Sequence, residues 1–193
     1  ADRAVAEYQG RRATINALAY LDLAGLYYEW NDLETSREYI QQAISLAEQG
    51  RNLEFQLGSW MLLVRLEIAR GNHEAASIAL EKVRYFIQTG EIPSPTAIRV
   101  PPLEVFFALA HRDLVGAHRW ESQLLEHVDA HTFCRFQNLT LAQLMIARRQ
   151  LSEAETYLTR LYETATKADR GYCRIAIRVL QALAAHTHEN ALT

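Results

Sequence analysis

The stretch "GLYYEWNDLETSREYIQQAISLAEQG", residues 25–50, decides the fold. It opens on aromatic side chains, breaks at Trp30-Asn31-Asp32-Leu33, and resumes in an apolar rhythm. Leu18, Leu21, Leu23 and Leu26 before the break, and Leu33, Tyr39, Ile40, Ala43, Ile44 and Ala47 after it, follow the three-and-four spacing of an amphipathic helix. Asn and Asp hydrogen-bond nearby backbone and cap the helix that follows. The stretch therefore predicts helix, tight turn, helix.

The break recurs. Aligned on the small residue that opens the second helix, the segments are "WNDLETS" (30–36), "RGNHEAA" (70–76), "HRDLVGA" (111–117), "RRQLSEA" (148–154) and "AHTHENA" (185–191). Their closing residues, Ser36, Ala76, Ala117, Ala154 and Ala191, lie 40, 41, 37 and 37 residues apart. Trp60, Leu63, Leu66 and Ile68, then Ala76, Ile78, Leu80 and Val83, repeat the apolar pattern of the first unit. Gly50, Gly90 and Gly171 are expected to stop or separate the pairs as C-terminal caps.

A lone hairpin cannot bury its apolar face, whereas stacked neighbours share a continuous core. The small residue at each second helix then marks a close helix–helix contact. The expected fold is all-α: an α-solenoid of antiparallel helical hairpins with a repeat period of 37–41 residues. One repeat domain is expected over residues 1–193, with about four full hairpins and a partial unit at both ends. Ala4 to Gly10 reads as the remnant of an incoming helix and Glu189 to Thr193 as that of an outgoing one. "GEIPSPTAIRVPP" (90–102) holds all four prolines and predicts a longer loop leading into a shortened helix near Leu103.

Composition narrows the function. Hydrophobic residues make up 49 % of 193, as in a folded protein, and the net charge of −3 gives no nucleic-acid footprint. No apolar run approaches the ~18 residues of a membrane span. Two cysteines, Cys134 and Cys173, are too few for a disulfide scaffold and fit a reducing cytoplasm. The opening "ADRAVAEYQG" has no methionine and reads like a helix already under way, so the chain is expected to be a piece of a longer one.

Catalytic and metal motifs are missing. There is no phosphate-cradling Gly-x-x-x-x-Gly-Lys-[Ser/Thr], no Gly-x-Ser-x-Gly and no His-Glu-x-x-His. His127 and His131 flank Asp129 at helical spacing but lack a third ligand, and His186 and His188 fall in the expected last turn. Cys134 and Cys173 sit on first helices of adjacent units and read as buried small hydrophobes. No enzyme, cofactor or metal is expected.

The words "GLYYEWNDLETSREYIQQAISLAE", "LVRLEIARGNHEAA", "AHRDLVGAHRW" and "RVLQALAAHTHENAL", in this order, resemble the tetratricopeptide (TPR) variant of MalT-like regulators, the large ATP-binding LuxR class. The resemblance covers essentially the whole chain. Ordinary TPR units recur at about 34 residues, so the longer period is a departure that suits the variant. Tyr20 and Trp60 fill the large-aromatic place of the first helix, and Ile40, Leu80 and Leu158 the large apolar place of the second. Pro101 and Asn138 depart at the aromatic place.

The resemblance implies a TPR-like right-handed superhelix that serves as a sensor segment. It would lie between an upstream ATP-binding switch and a downstream DNA-binding domain, receive a small-molecule inducer or a regulatory protein, and control self-association. In such a superhelix the first helices line the concave face. Counting from each anchor, the inward positions include Leu21, Tyr28, Glu29, Met61, Arg65, Ile68, Arg99, Phe106, Leu109, Phe136, Gln143 and Ile146. Tyr28, Glu29, Arg65, Arg99, Phe106, Phe136 and Gln143 are the candidate ligand- or partner-binding residues, because an aromatic face with flanking charge suits either. The alternative is a plain scaffold that holds a protein partner and senses nothing.

Overall fold

The computed structural model describes residues 2–89, 97–126 and 136–192, and every regular element among them is an α-helix. They are α1 (Asp2–Glu29), α2 (Leu33–Gln49), α3 (Leu53–Ala69), α4 (His73–Gln88), α5 (Val100–Ala110), α6 (Leu114–Glu126), α7 (Phe136–Ala147), α8 (Leu151–Lys167) and α9 (Gly171–Leu192). The chain divides into two compact units, Ala1–Val100 and Pro101–Thr193. The expected turns at 30–36, 70–76, 111–117 and 148–154 join α1 to α2, α3 to α4, α5 to α6 and α7 to α8. The short α5 begins at Val100-Pro101-Pro102, where a first helical turn tolerates proline.

Each closing small residue is fully buried: Ser36, Ala76, Ala117 and Ala154 are all at 0 % exposure. The one hydroxyl among them has a partner, since Ser36 Oγ donates to the carbonyl of Ala24 on α1 at 2.8 Å. At the large apolar place four residues further on, Ile40, Leu80 and Leu158 are buried as well. In the first unit Ala24, Ile40, Leu62 and Leu66 form one cluster. In the second, Val105, Ala117, Leu124, Leu144, Leu158, Cys173 and Ile177 belong to a larger one.

Six helix ends among the described residues turn the same way. Asn31, Arg51, Gly71, Arg112, Arg149 and Asp169 take φ of 61°, 51°, 73°, 56°, 60° and 50°. The residue after each sends its N–H back to the carbonyl five earlier, as Asp32 does to Tyr27 (2.9 Å), Asn72 to Glu67 (2.8 Å) and Gln150 to Met145 (2.9 Å). This is Schellman bonding, which satisfies carbonyls that the helix leaves over. The same residue often caps the next helix: Asp32 Oδ1 accepts from Thr35 N at 3.2 Å, Asn72 Oδ1 from Ala75 N at 3.2 Å and Asp113 Oδ1 from Gly116 N at 2.8 Å.

Several expectations need correction. Gly50 is not the left-handed cap: its φ is −77°, and Arg51 takes that role. Gly50 serves close approach instead, because a Cβ there would strike the Thr14 side chain and stand 3.1 Å from the Thr14 nitrogen. Gly171 starts α9 rather than ending a helix, and Gly90 lies outside the described residues. The break expected at 185–191 does not form, and α9 runs through it. Thr187 stands at the capping place but donates its hydroxyl to Leu183 O at 2.8 Å, within its own helix.

The incoming remnant is also no separate piece, since α1 continues unbroken from Asp2. Finally, α1 buries Ala13, Ala17 and Ala24 and exposes Ile15, Leu18, Leu23 and Leu26, and Trp30 in the turn after it is exposed too. Small residues let α2 approach closely, and the leucines fall on another face.

A left-handed backbone costs an L-residue about 1–2 kcal/mol, which glycine avoids. Gly71→Ala should therefore lower stability by about 1 kcal/mol, and Arg112→Gly should raise it by about 0.5 kcal/mol, with glycine's greater unfolded entropy taking the rest. Urea unfolding of the two variants checks both signs.

Candidate functional site

The four candidate residues of the first unit gather around one guanidinium. Tyr28 and Glu29 close α1, where the chain needs a turn, and Arg65 comes from the adjacent α3. The Arg65 guanidinium carbon stands 4.7 Å from the Tyr28 ring centre, and its Nη2 is 3.6 Å from Glu29 Oε1. A cation over an aromatic face beside a carboxylate is held by quadrupole and charge together.

Arg99, just before α5, joins them electrostatically. Its side chain is open along part of its length, yet its guanidinium is held below the ordinary arginine range. Burial is the main cause and the positive charge of Arg65 the second, while Glu54 acts the other way. Two like charges kept near each other make a place where an anionic or strongly hydrogen-bonding group is welcome.

In the second unit Phe106 of α5 and Phe136 of α7 meet edge to face, with ring centres 5.4 Å apart and planes at 67°. Both are half-buried, as is Gln143, which shares a face of α7 with Phe136 seven residues before it. Met61 differs from the other inward positions: at 5 % exposure it is a core residue. His127, Asp129, His131 and Cys134 lie outside the described residues. Cys173 belongs to the second unit's core, and His186 lies within α9 rather than in a turn. Among the described residues no three His, Cys, Asp or Glu side chains gather as a metal site, and no helix is long and apolar enough to cross a membrane.

A family model described as the MalT-like TPR region matches residues 3–191. The chain belongs to that family. No curated protein and no solved structure matches it significantly. A MalT-like TPR region is an all-α helical repeat, in agreement with the hairpins of both units.

Within this MalT-like repeat, sequence reading missed one class of residue: the ions that seal the seams between consecutive hairpins. At the α2/α3 seam Glu67 is buried, with only 1 % exposed. Arg37 Nε donates to its Oε1 at 2.9 Å, Arg70 Nε is 4.0 Å from its Oε2, and Arg70 Nη2 reaches Glu34 Oε1 at 2.9 Å. At the α6/α7 seam Arg148 forks onto Glu121: one guanidinium nitrogen meets Oε1, and the other meets Oε2 at 2.9 Å. His118 Nδ1 is 2.7 Å from the same Oε2.

Glu121 stands four residues after its anchor Ala117, where the other hairpins place Ile40, Leu80 and Leu158. A carboxylate in that apolar place needs a fixed partner. Its carboxyl is held below the ordinary 4.5 chiefly by the Arg148 hydrogen bond, against burial, with His118 adding to the lowering. Register supplied a signal: Arg70 and Arg148 both stand six residues before their anchors.

Because the folded carboxyl is the more acidic one, its contribution is present above the unfolded value and is lost as pH falls below it. Glu121→Gln should therefore destabilise the chain by about 1–3 kcal/mol at neutral pH. The gap to the parent should shrink as pH drops from about 6 to about 3. Denaturant unfolding at several pH values measures it.

Proposed function

We propose that this chain is the effector-sensing, partner-binding segment of a MalT-type LuxR-class transcriptional activator, acting in the cytoplasm between an ATP-binding switch and a DNA-binding domain. The observation that carries the reading is the family match over residues 3–191, joined to the cluster of Tyr28, Glu29 and Arg65 on first helices with Arg99 just before α5. An effector that engages the cluster of the first unit, or the Phe106–Phe136–Gln143 face of the second, works by population shift. It binds one arrangement of the array better than another, and that arrangement permits self-association and activation. Helical repeats of this kind are generally non-catalytic scaffolds, so no reaction is assigned to the chain. It takes no cofactor, touches no nucleic acid and enters no membrane.

A second reading, a scaffold that holds only a protein partner, draws support from the exposed apolar stripes Ile15-Leu18-Leu26 on α1 and Tyr172-Ile175-Val179-Leu183 on α9. Exposed apolar stripes of this sort are how helices meet other helices.

Thermal unfolding against a panel of sugars, nucleotides and small metabolites separates the two. A ligand at 100 times its Kd adds about 2.7 kcal/mol. In a domain of this size that raises Tm by roughly 5–10 °C. The sensor reading expects such a shift, with Arg65→Ala or Phe106→Ala abolishing it; a flat panel from a folded chain favours the scaffold.

A further inference from the structure

Three seams within a unit bring the last turns of a first helix against the start of the preceding second helix: α2/α3, α6/α7 and α8/α9. Places can be compared by counting from Ala76 and Ala154 and, in the third seam, from Ala191 as a sequence register only, since α9 runs through that break. Six residues before the later anchor stand Arg70, Arg148 and Ala185. Ten before it stand Leu66, Leu144 and Gln181, and thirteen before it Leu63, Leu141 and Arg178. One after the earlier anchor stand Arg37, His118 and Glu155.

The first two seams are thus closed by leucines and sealed by an arginine on a carboxylate. Leu66 and Leu144 are buried at 0 % and 1 %, and Arg70 and Arg148 make the ion pairs described above. The third seam is closed by Ile177 and Leu180, buried at 0 % and 5 %; it has no arginine at that place, Arg178 and Gln181 stand at its rim, and a carboxylate, Glu155, takes the place of the cation.

A cavity opens at that third seam. About 590 Å³ in volume, it is lined by Leu151, Ser152, Glu155 and Thr159 of α8 and by Arg178, Gln181, Ala184 and Ala185 of α9. This volume lies within the usual ~300–1,000 Å³ of small-molecule sites. Its two charges are of opposite sign and differently placed. Among the described residues Glu155 makes no ion pair. Arg178 is fixed: its guanidinium carbon lies 4.0 Å from the Tyr162 ring centre, and its Nη1 donates to Gln181 Oε1 at 3.0 Å. A stacked, oriented guanidinium is a preformed partner for a carboxylate.

We propose that the α8/α9 pocket binds a small zwitterion of the basic amino-acid class. Its ammonium or guanidinium group takes the place of the arginine that the sequence omits at Ala185 and pairs with Glu155. Its carboxylate meets Arg178, and the Ser152 and Thr159 hydroxyls hydrogen-bond the remainder. None of these residues belongs to the first-helix cluster, so the pocket and the effector reading stand or fall separately.

Isothermal titration of the chain with L-arginine and with L-lysine, in separate runs up to roughly 10 mM, is the test, since weaker association than this carries too little free energy to be specific. At least one of the two should bind saturably, and Glu155→Gln should weaken that binding tenfold or more. Ala185→Arg, which supplies the guanidinium from the chain itself, should abolish the binding and raise Tm. Arg65→Ala should leave it unchanged. The proposal is overturned if neither compound binds saturably, or if binding persists undiminished in Glu155→Gln or in Ala185→Arg. Circular dichroism of each variant confirms that it is folded before titration.

Discussion

Everything in this molecule depends on how closely two helices approach at one point per hairpin. Ser36, Ala76, Ala117 and Ala154 are fully buried because a larger side chain there would hold the helices apart. With the backbones close, the residue one turn later reaches inward, and in three hairpins it is a buried aliphatic, Ile40, Leu80 or Leu158, that gives an apolar flank. The turn before each anchor is equally constrained. A left-handed residue, then a cap whose N–H reaches back five residues, reverses the chain in the fewest steps while leaving few polar groups unpaired.

These two constraints explain what was legible in the sequence. The anchors and four turns were readable because a small residue, Ser or Ala, recurs at a fixed offset from a pair of turn-forming residues. The end of α2 was misread because glycine suggests a left-handed residue, while Arg51 occupies that place and Gly50 makes room for Thr14. The break at 185–191 was misread because Thr187 has the chemistry of a cap, and only the structure shows its hydroxyl turned back to Leu183. The leucines of α1 share a periodicity with its alanines, and periodicity alone cannot tell which face the neighbour covers.

The candidate site divides in the same way. Counting from the anchors gave Tyr28, Glu29 and Arg65 only as inward positions; their contact with one another is seen in the structure, because helical register does not carry across to a neighbouring helix. The seam ions escaped notice because a single glutamate among buried aliphatics looks like variation until its arginine is seen. Glu121 and Arg148 are 27 residues apart, and only the stacking of α6 on α7 brings them together. Glu67 and Arg37, 30 residues apart, make the same point in the first unit. A buried carboxylate between cations costs desolvation that well-packed aliphatics would not, so such pairs serve the register of hairpin on hairpin more readily than raw stability.

The stacking has a kinetic side. In the first unit α1 touches α2 and α3, α2 touches α3, and α3 touches α4, so partners are near neighbours along the chain. Low contact order of this kind makes folding fast, and repeats can nucleate at one pair and spread. A ribosome adds about 5–20 residues per second, so a new hairpin of this period emerges every few seconds. Within a unit each one finds the previous hairpin's apolar flank already formed, and the unit can be laid down in the order in which it is made.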